Sequence, residues 1–160
     1  MFINLNYSKE KHKSIIENYI NMKYGNIILE KKEYVYLKRL LNMNTYTDNS
    51  NTKSSIQRLL GELKTAQIVD EIEMPKDVIR FNSTVKVAAE HGWENTLKVV
   101  VPSEKNIKEH KISVLSPMGI ALFGYSENDE LVWDFPGGQS KIKIVAVTQD
   151  ENHKRIEVLL

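Results

Sequence analysis

Cysteine is absent from this chain of 160 residues. That excludes a disulfide framework, a thiolate nucleophile, an iron–sulfur cluster and any Cys-type zinc site, and it makes a cytoplasmic protein the expectation. No apolar run approaches the roughly 18 residues that cross a bilayer, so no membrane partner is expected. The opening residues Met1, Phe2, Ile3, Asn4 and Leu5 lack the basic stretch and apolar core of a signal peptide. An excess of either charge is missing too. Lys and Arg number 22 against 21 Asp and Glu, a net charge of +1 that rules out a generic polyanion binder with a basic shell. The histidines, His12, His91, His110 and His153, have no mutual metal-ligand spacing, so neither metal nor cofactor is expected. Gly137-Gly138 is followed by no Lys-Ser/Thr pair opening a helix, and no serine sits in a nucleophile elbow. No catalytic residue is assigned, and the chain does not read as an enzyme.

What is present is unevenly distributed. Residues 1–68 carry 11 basic and 6 acidic side chains, whereas residues 69–160 carry 11 and 15. Opposite halves read either as two surfaces that face different partners or as ordinary solvation by exposed Lys and Glu. The sequence divides into three parts: an extension (1–30), a helical hairpin (31–69) and a strand-rich domain (70–160). In the first, Ile15, Ile16, Tyr19 and Ile20 recur at helical spacing behind Ser8 as N-cap. This predicts a short amphipathic helix that ends near Gly25 and leads into an extended link at Asn26, Ile27, Ile28 and Leu29. In the second, Tyr34, Leu37, Leu40 and Leu41 form one apolar stripe, and Ile56, Leu59, Leu60 and Leu63 another. Polar turn formers fill the stretch between them. Neither helix is long enough to be stable alone, so each is expected to bury its stripe against the other.

The third part opens with an acidic linker from Val69 to Pro75. Alternating segments follow at Thr84–Ala88, Thr96–Val101, Lys111–Leu115, Leu131–Phe135 and Lys141–Val147, with Arg155–Leu160 as a last edge strand. Pro117 to Gly124 reads as one short helix, with Pro at its start and Gly at its end. Strands with a single helix predict a small antiparallel α+β barrel or half-barrel.

Some of these residues occur in a recognisable order. Ile112-Ser113-Val114-Leu115-Ser116-Pro117-Met118-Gly119 runs into an apolar helix ending in Gly124, then comes Asp129-Glu130, then Phe135-Pro136-Gly137-Gly138. This order resembles the C-terminal domain of the GreA/GreB transcript-cleavage factors. The phrase Met74-Pro75-Lys76-Asp77-Val78-Ile79-Arg80-Phe81 extends the likeness and is closest to the Rnk branch, the regulators of nucleoside diphosphate kinase. The resemblance covers about residues 27–148. It implies an α+β fold: a short helical hairpin, or coiled coil, followed by an FKBP-like antiparallel β-domain with one short helix. It also implies a transcription regulator that docks on RNA polymerase near the rim of the secondary channel, a monomer whose contact with nucleic acid is indirect. Leu115, Ser116, Pro117 and Met118 would then form the docking loop, an exposed Leu115–Met118 pair acting by apolar burial.

In the cleavage factors two acids at the hairpin tip help hold a metal ion in the polymerase. The tip here holds Asp48, and three residues on stands Asn51 rather than Glu. Glu33 lies at the base of the first arm and Glu62 well along the second, too far from the tip to complete the pair, so transcript cleavage is not expected. The expected role is competition for the polymerase site without supplying catalytic carboxylates. Lys38, Arg39, Lys53 and Arg58, with Lys31, Lys32 and Lys64, make the hairpin basic, either as a solvated face or as an RNA contact. Two other classes compete with this reading. An FKBP-type peptidyl-prolyl isomerase would use Phe123, Tyr125, Trp133 and Phe135 as an apolar pocket. A general interaction module would use residues 1–26 against a partner other than polymerase.

Overall fold

The computed structural model describes residues 22–135 and 137–160. The helix expected around Ile15, Ile16, Tyr19 and Ile20 lies outside the described residues. In chain order the elements are β1 (Ile28–Glu30), α1 (Lys31–Met43), α2 (Ser50–Leu63), β2 (Gln67–Val69), β3 (Thr84–Ala89), β4 (Glu94–Val100), β5 (Lys111–Ser113), α3 (Pro117–Leu122), β6 (Glu130–Phe135) and β7 (Gly138–Thr148). Short 3-10 turns occupy Glu71–Glu73, Pro102–Glu104 and Ile107–Glu109. The acidic linker expected at 69–75 is therefore structured, with Val69 ending β2 and the first 3-10 turn following.

The hairpin starts where its caps require. The Glu30 carboxylate accepts from the Lys32 and Glu33 amides at 2.9 and 3.0 Å, and the Asn49 side chain does the same for Asn51 and Thr52 at 3.1 and 3.2 Å. At the turn, Asn44 Nδ2 donates to the Leu40 carbonyl and Thr45 Oγ1 to that of Asn42. The arms have 13 and 14 residues.

Their apolar stripes do not pair only with each other. Leu37, Leu41, Ile56 and Leu59 enter one continuous core with Ile79, Phe81, Leu122 and Phe123 of the strand-rich part. Two helices this short cannot cover both stripes by mutual contact, so the domain supplies the missing surface. Aromatic edges join the layers: Tyr36 of α1 meets Phe81 at 5.5 Å between ring centroids, and Phe81 meets Phe123 at 4.8 Å.

The main sheet has the order β5-β4-β3-β7-β6. Alternation predicts its buried face correctly: Val85, Val87, Leu97, Val99, Ile142 and Ile144 all point into the core. The domain is mixed rather than wholly antiparallel, because β4 and β5 run parallel. The two 3-10 turns between them carry the chain back to the same end of the sheet, as a parallel pair requires. A second parallel pair, unforeseen in the sequence, joins β1 to β2 with Ile28 opposite Gln67. The α1–α2 hairpin is its crossover. The edge strand expected at Arg155–Leu160 is not formed. That segment runs beside α1 instead, where Lys32 Nζ meets Glu157 at 2.9 Å and Arg39 Nη2 donates to the Leu159 carbonyl at 3.2 Å. Side-chain bonds to the helix replace a ladder.

Candidate functional site

The loop from Leu115 to Met118 is built by its neighbours on β5. Ser116 Oγ donates to the Ser113 carbonyl at 2.6 Å and accepts from the Gly119 amide at 3.1 Å, so it caps α3 while tying that helix to the strand. A Cβ on Gly119 would fall 2.3 Å from the Ser113 carbonyl, and the close approach is open only to glycine. Pro117, at the first helical position, is exposed. Leu115 and Met118 are not the exposed pair anticipated. Both are half-buried and pack on the core, since α3 is too closely seated to lift them clear.

Asp48 and Asn51 lie at the hairpin tip, both exposed. Asp48 precedes the capping Asn49, and Asn51 stands in the first turn of α2. Beside them the tip presents Tyr46, 93% exposed, and Met43, 76% exposed. The acids on the arms are used elsewhere. Glu62 accepts from the Tyr125 hydroxyl at 3.2 Å and meets Arg58 Nε at 3.5 Å, and burial raises its pKa above the ordinary carboxylate value. Among the basic residues, Lys38, Arg39 and Lys53 are exposed on the arms, with Lys38 over the Tyr34 ring and Arg39 held by the C-terminal segment. Arg58 is exposed as well and meets Glu62. Of the aromatics proposed for an isomerase pocket, Phe123 and Tyr125 are core residues; Trp133 is half-buried.

Glu33 belongs to a polar cluster that sequence reasoning missed. Arg80 Nε donates to Glu33 Oε2 at 2.8 Å, and its two terminal nitrogens grip Glu71 at 2.8 and 2.7 Å. The second Glu33 oxygen accepts from the Phe81 amide at 3.2 Å. Burial pushes Glu33 up to about 7, against the pull of the adjacent guanidinium, whereas the Arg80 hydrogen bonds hold the more exposed Glu71 below the carboxylate range. The cluster ties the base of α1 to the strand-rich part. A charged residue set between Ile79 and Phe81 is its one sequence signal, because such a residue is buried only when paired.

Fold and site together define an α+β protein: a capped helical hairpin seated on a curled five-stranded sheet, with a short helix presenting an exposed proline. Among the described residues no group of three or more His, Asp or Glu is placed to hold a metal ion, and no helix is long and apolar enough to cross a membrane. Residues 74–149 match the family described as "Transcription elongation factor, GreA/GreB, C-term". A GreA of Clostridium botulinum is 34% identical over 86% of this chain and 81% of its own length. A GreA of Halorhodospira halophila is 41% identical over 58% of this chain. A solved GreA/GreB structure from Nitrosomonas europaea superposes with a TM-score of 0.63 at 33% identity, covering 77% of this chain and 98% of that one. The chain belongs to the GreA/GreB transcription elongation factor family. It spans 60% of the length of the Halorhodospira relative and 58% of a Syntrophus aciditrophicus GreA.

Proposed function

We propose that this protein is a non-enzymatic, Rnk-like regulator of transcription elongation, a cytoplasmic monomer that docks on RNA polymerase at the rim of the secondary channel. There it competes with cleavage factors without supplying their catalytic carboxylates. The observation that carries this reading is the hairpin tip. Asp48 is its one acid, and Asn51 offers an amide where the cleavage factors place a second carboxylate. A hard divalent cation is held far better by two carboxylates than by one. The arms also reach only about 20 Å at 1.5 Å per residue. Exposed Pro117, on a loop braced by Ser116, supports the segment from Leu115 to Met118 as the docking element.

The test is binding of the purified protein to cognate core RNA polymerase, with a cleavage factor titrated in. Competed binding, weakened by Pro117→Asp, is the expected result. Pro117 is exposed at the first helical position, where an acid is well tolerated, so this change leaves the fold intact. Failure to bind at micromolar concentration refutes the reading and moves function to an interaction module with another partner.

A further inference from the structure

The two ends of the main sheet are finished differently. β5 is three residues long, and Asn106 closes its outer side by exchanging backbone hydrogen bonds with Lys111 at 3.0 and 2.9 Å. β6 is six residues long, and among the described residues no backbone hydrogen bond reaches its outer side. Free edges of this length are normally shortened, bulged or covered, because they present unpaired N–H and C=O groups. Beside this edge runs a cleft of about 430 Å³ with α2 as its far wall. Val132, Trp133 and Asp134 all line it. Successive side chains of a strand point to opposite faces, so three consecutive residues share one cleft only when it runs along the strand's edge. Ser54 and Ser55 of α2 stand opposite, and Ala121 of α3 lines it too.

We propose that this groove receives an extended peptide segment of a partner protein, which adds a sixth strand to the sheet along β6. Strand alternation sets the chemistry of that segment. Trp133 shares the core-facing side of β6 with buried Leu131, whereas Val132 and Asp134 share the outer side. A strand paired here places one side chain beside Trp133 and its neighbours beside Val132 and Asp134. Asp134 is exposed and has no ion pair among the described residues, while the Arg58 charge across the groove is matched by Glu62. The segment therefore alternates apolar residues, which cover Trp133, with Lys or Arg, which meet Asp134. Self-pairing of two copies along this edge is disfavoured in the register that centres the strand. An antiparallel β6–β6 pair centred on Val132 sets Glu130 directly against Asp134, and like charges in that position repel.

The test uses the full chain, labelled for amide NMR, and acetylated hexapeptides. An alternating Val/Lys peptide is expected to give saturable shifts confined to β6 and the facing side of α2, with slowed exchange of β6 amides. An alternating Val/Glu peptide, and a Val/Lys peptide N-methylated at alternate residues, are each expected to bind about tenfold or more weakly, the loss of roughly one strong interaction. In the Asp134→Lys variant the ranking of the Val/Lys and Val/Glu peptides reverses. Absence of saturable shifts at millimolar peptide overturns the proposal, as does equal binding of the N-methylated peptide, which reads as charge attraction alone. Self-association that shifts the same amides without peptide assigns the edge to a second copy and overturns it as well. Pro117, of the loop proposed to dock on polymerase, lines this groove too, but no polymerase enters the peptide experiment and no peptide the polymerase one, so the two readings are tested separately.

Discussion

Replacing Arg80 with methionine is the sharpest probe of how the hairpin is held to the sheet. The substitution keeps the apolar stem but removes the bond to Glu33 and the paired bonds to Glu71. Glu71 is half exposed and retains Arg155 at 3.4 Å, so its loss is small. Glu33 is 2% exposed and is left with the Phe81 amide alone. Stranding one member of a buried pair costs about 3–5 kcal/mol, and that is the expected loss at pH 8.

The pH dependence follows from the direction of the Glu33 shift. Its folded-state value of about 7 lies above the ordinary 4.5, so between those values the folded protein holds more protons than the unfolded chain. This group's contribution to stability therefore falls as pH rises through that window, and levels off above it. Without Arg80 the folded value rises further, so the fall continues past neutrality with a limiting slope of about 1.4 kcal/mol per pH unit. The deficit of Arg80→Met should accordingly widen between pH 6 and pH 8. Adding Glu33→Gln keeps an acceptor for Phe81 and removes the charge. The double variant should recover about half of the loss at pH 8 and show no widening. Urea unfolding followed by circular dichroism at both pH values measures this. A single-variant cost under about 1 kcal/mol, or the same widening in the double variant, refutes the reasoning.

Gly119→Ala forces a Cβ against the backbone of Ser113 and Val114, and should cost at least about 2 kcal/mol in thermal or urea unfolding. Gly61→Ala, in the body of α2 with nothing within 4 Å, should instead stabilise by about 0.4–1 kcal/mol. Ser116→Ala removes the cap of α3 and should cost about 1 kcal/mol in the same assay, where threonine in its place should restore most of it. Asp48→Ala should leave transcript cleavage by polymerase unchanged when measured on arrested complexes; a cleavage activity that disappears with Asp48 refutes the non-catalytic tip.

The parts legible in the sequence were those governed by local periodicity and short motifs. The stripes of Leu37, Leu41, Ile56 and Leu59 place both arms, and Ser-Pro followed by an apolar run ending in Gly places α3. What escaped depended on contacts distant in the chain. Val69 carries no mark that it pairs beside Glu30, because a three-residue parallel pair has no turn to announce it. The segment ending in Leu160 alternates like a strand, yet Lys32 and Arg39 draw it along α1. At the loop from Leu115 to Met118 the order of residues was readable, but the half-burial of Leu115 and Met118 was not, since it depends on how closely Gly119 lets α3 approach β5.

The parallel pair of β1 and β2 has a consequence for how such proteins change. It fixes the two ends of the hairpin side by side, so that residues 31–66 behave as a cassette clipped at its base. Lengthening a closed loop costs little entropy, about 0.6 kcal/mol for each doubling. Whole turns of helix inserted on either side of residues 44–49 would carry the tip outward by about 5.4 Å each, with the clip and the sheet untouched. Reach, in this architecture, is a dimension that can be altered without redesigning the body that bears it.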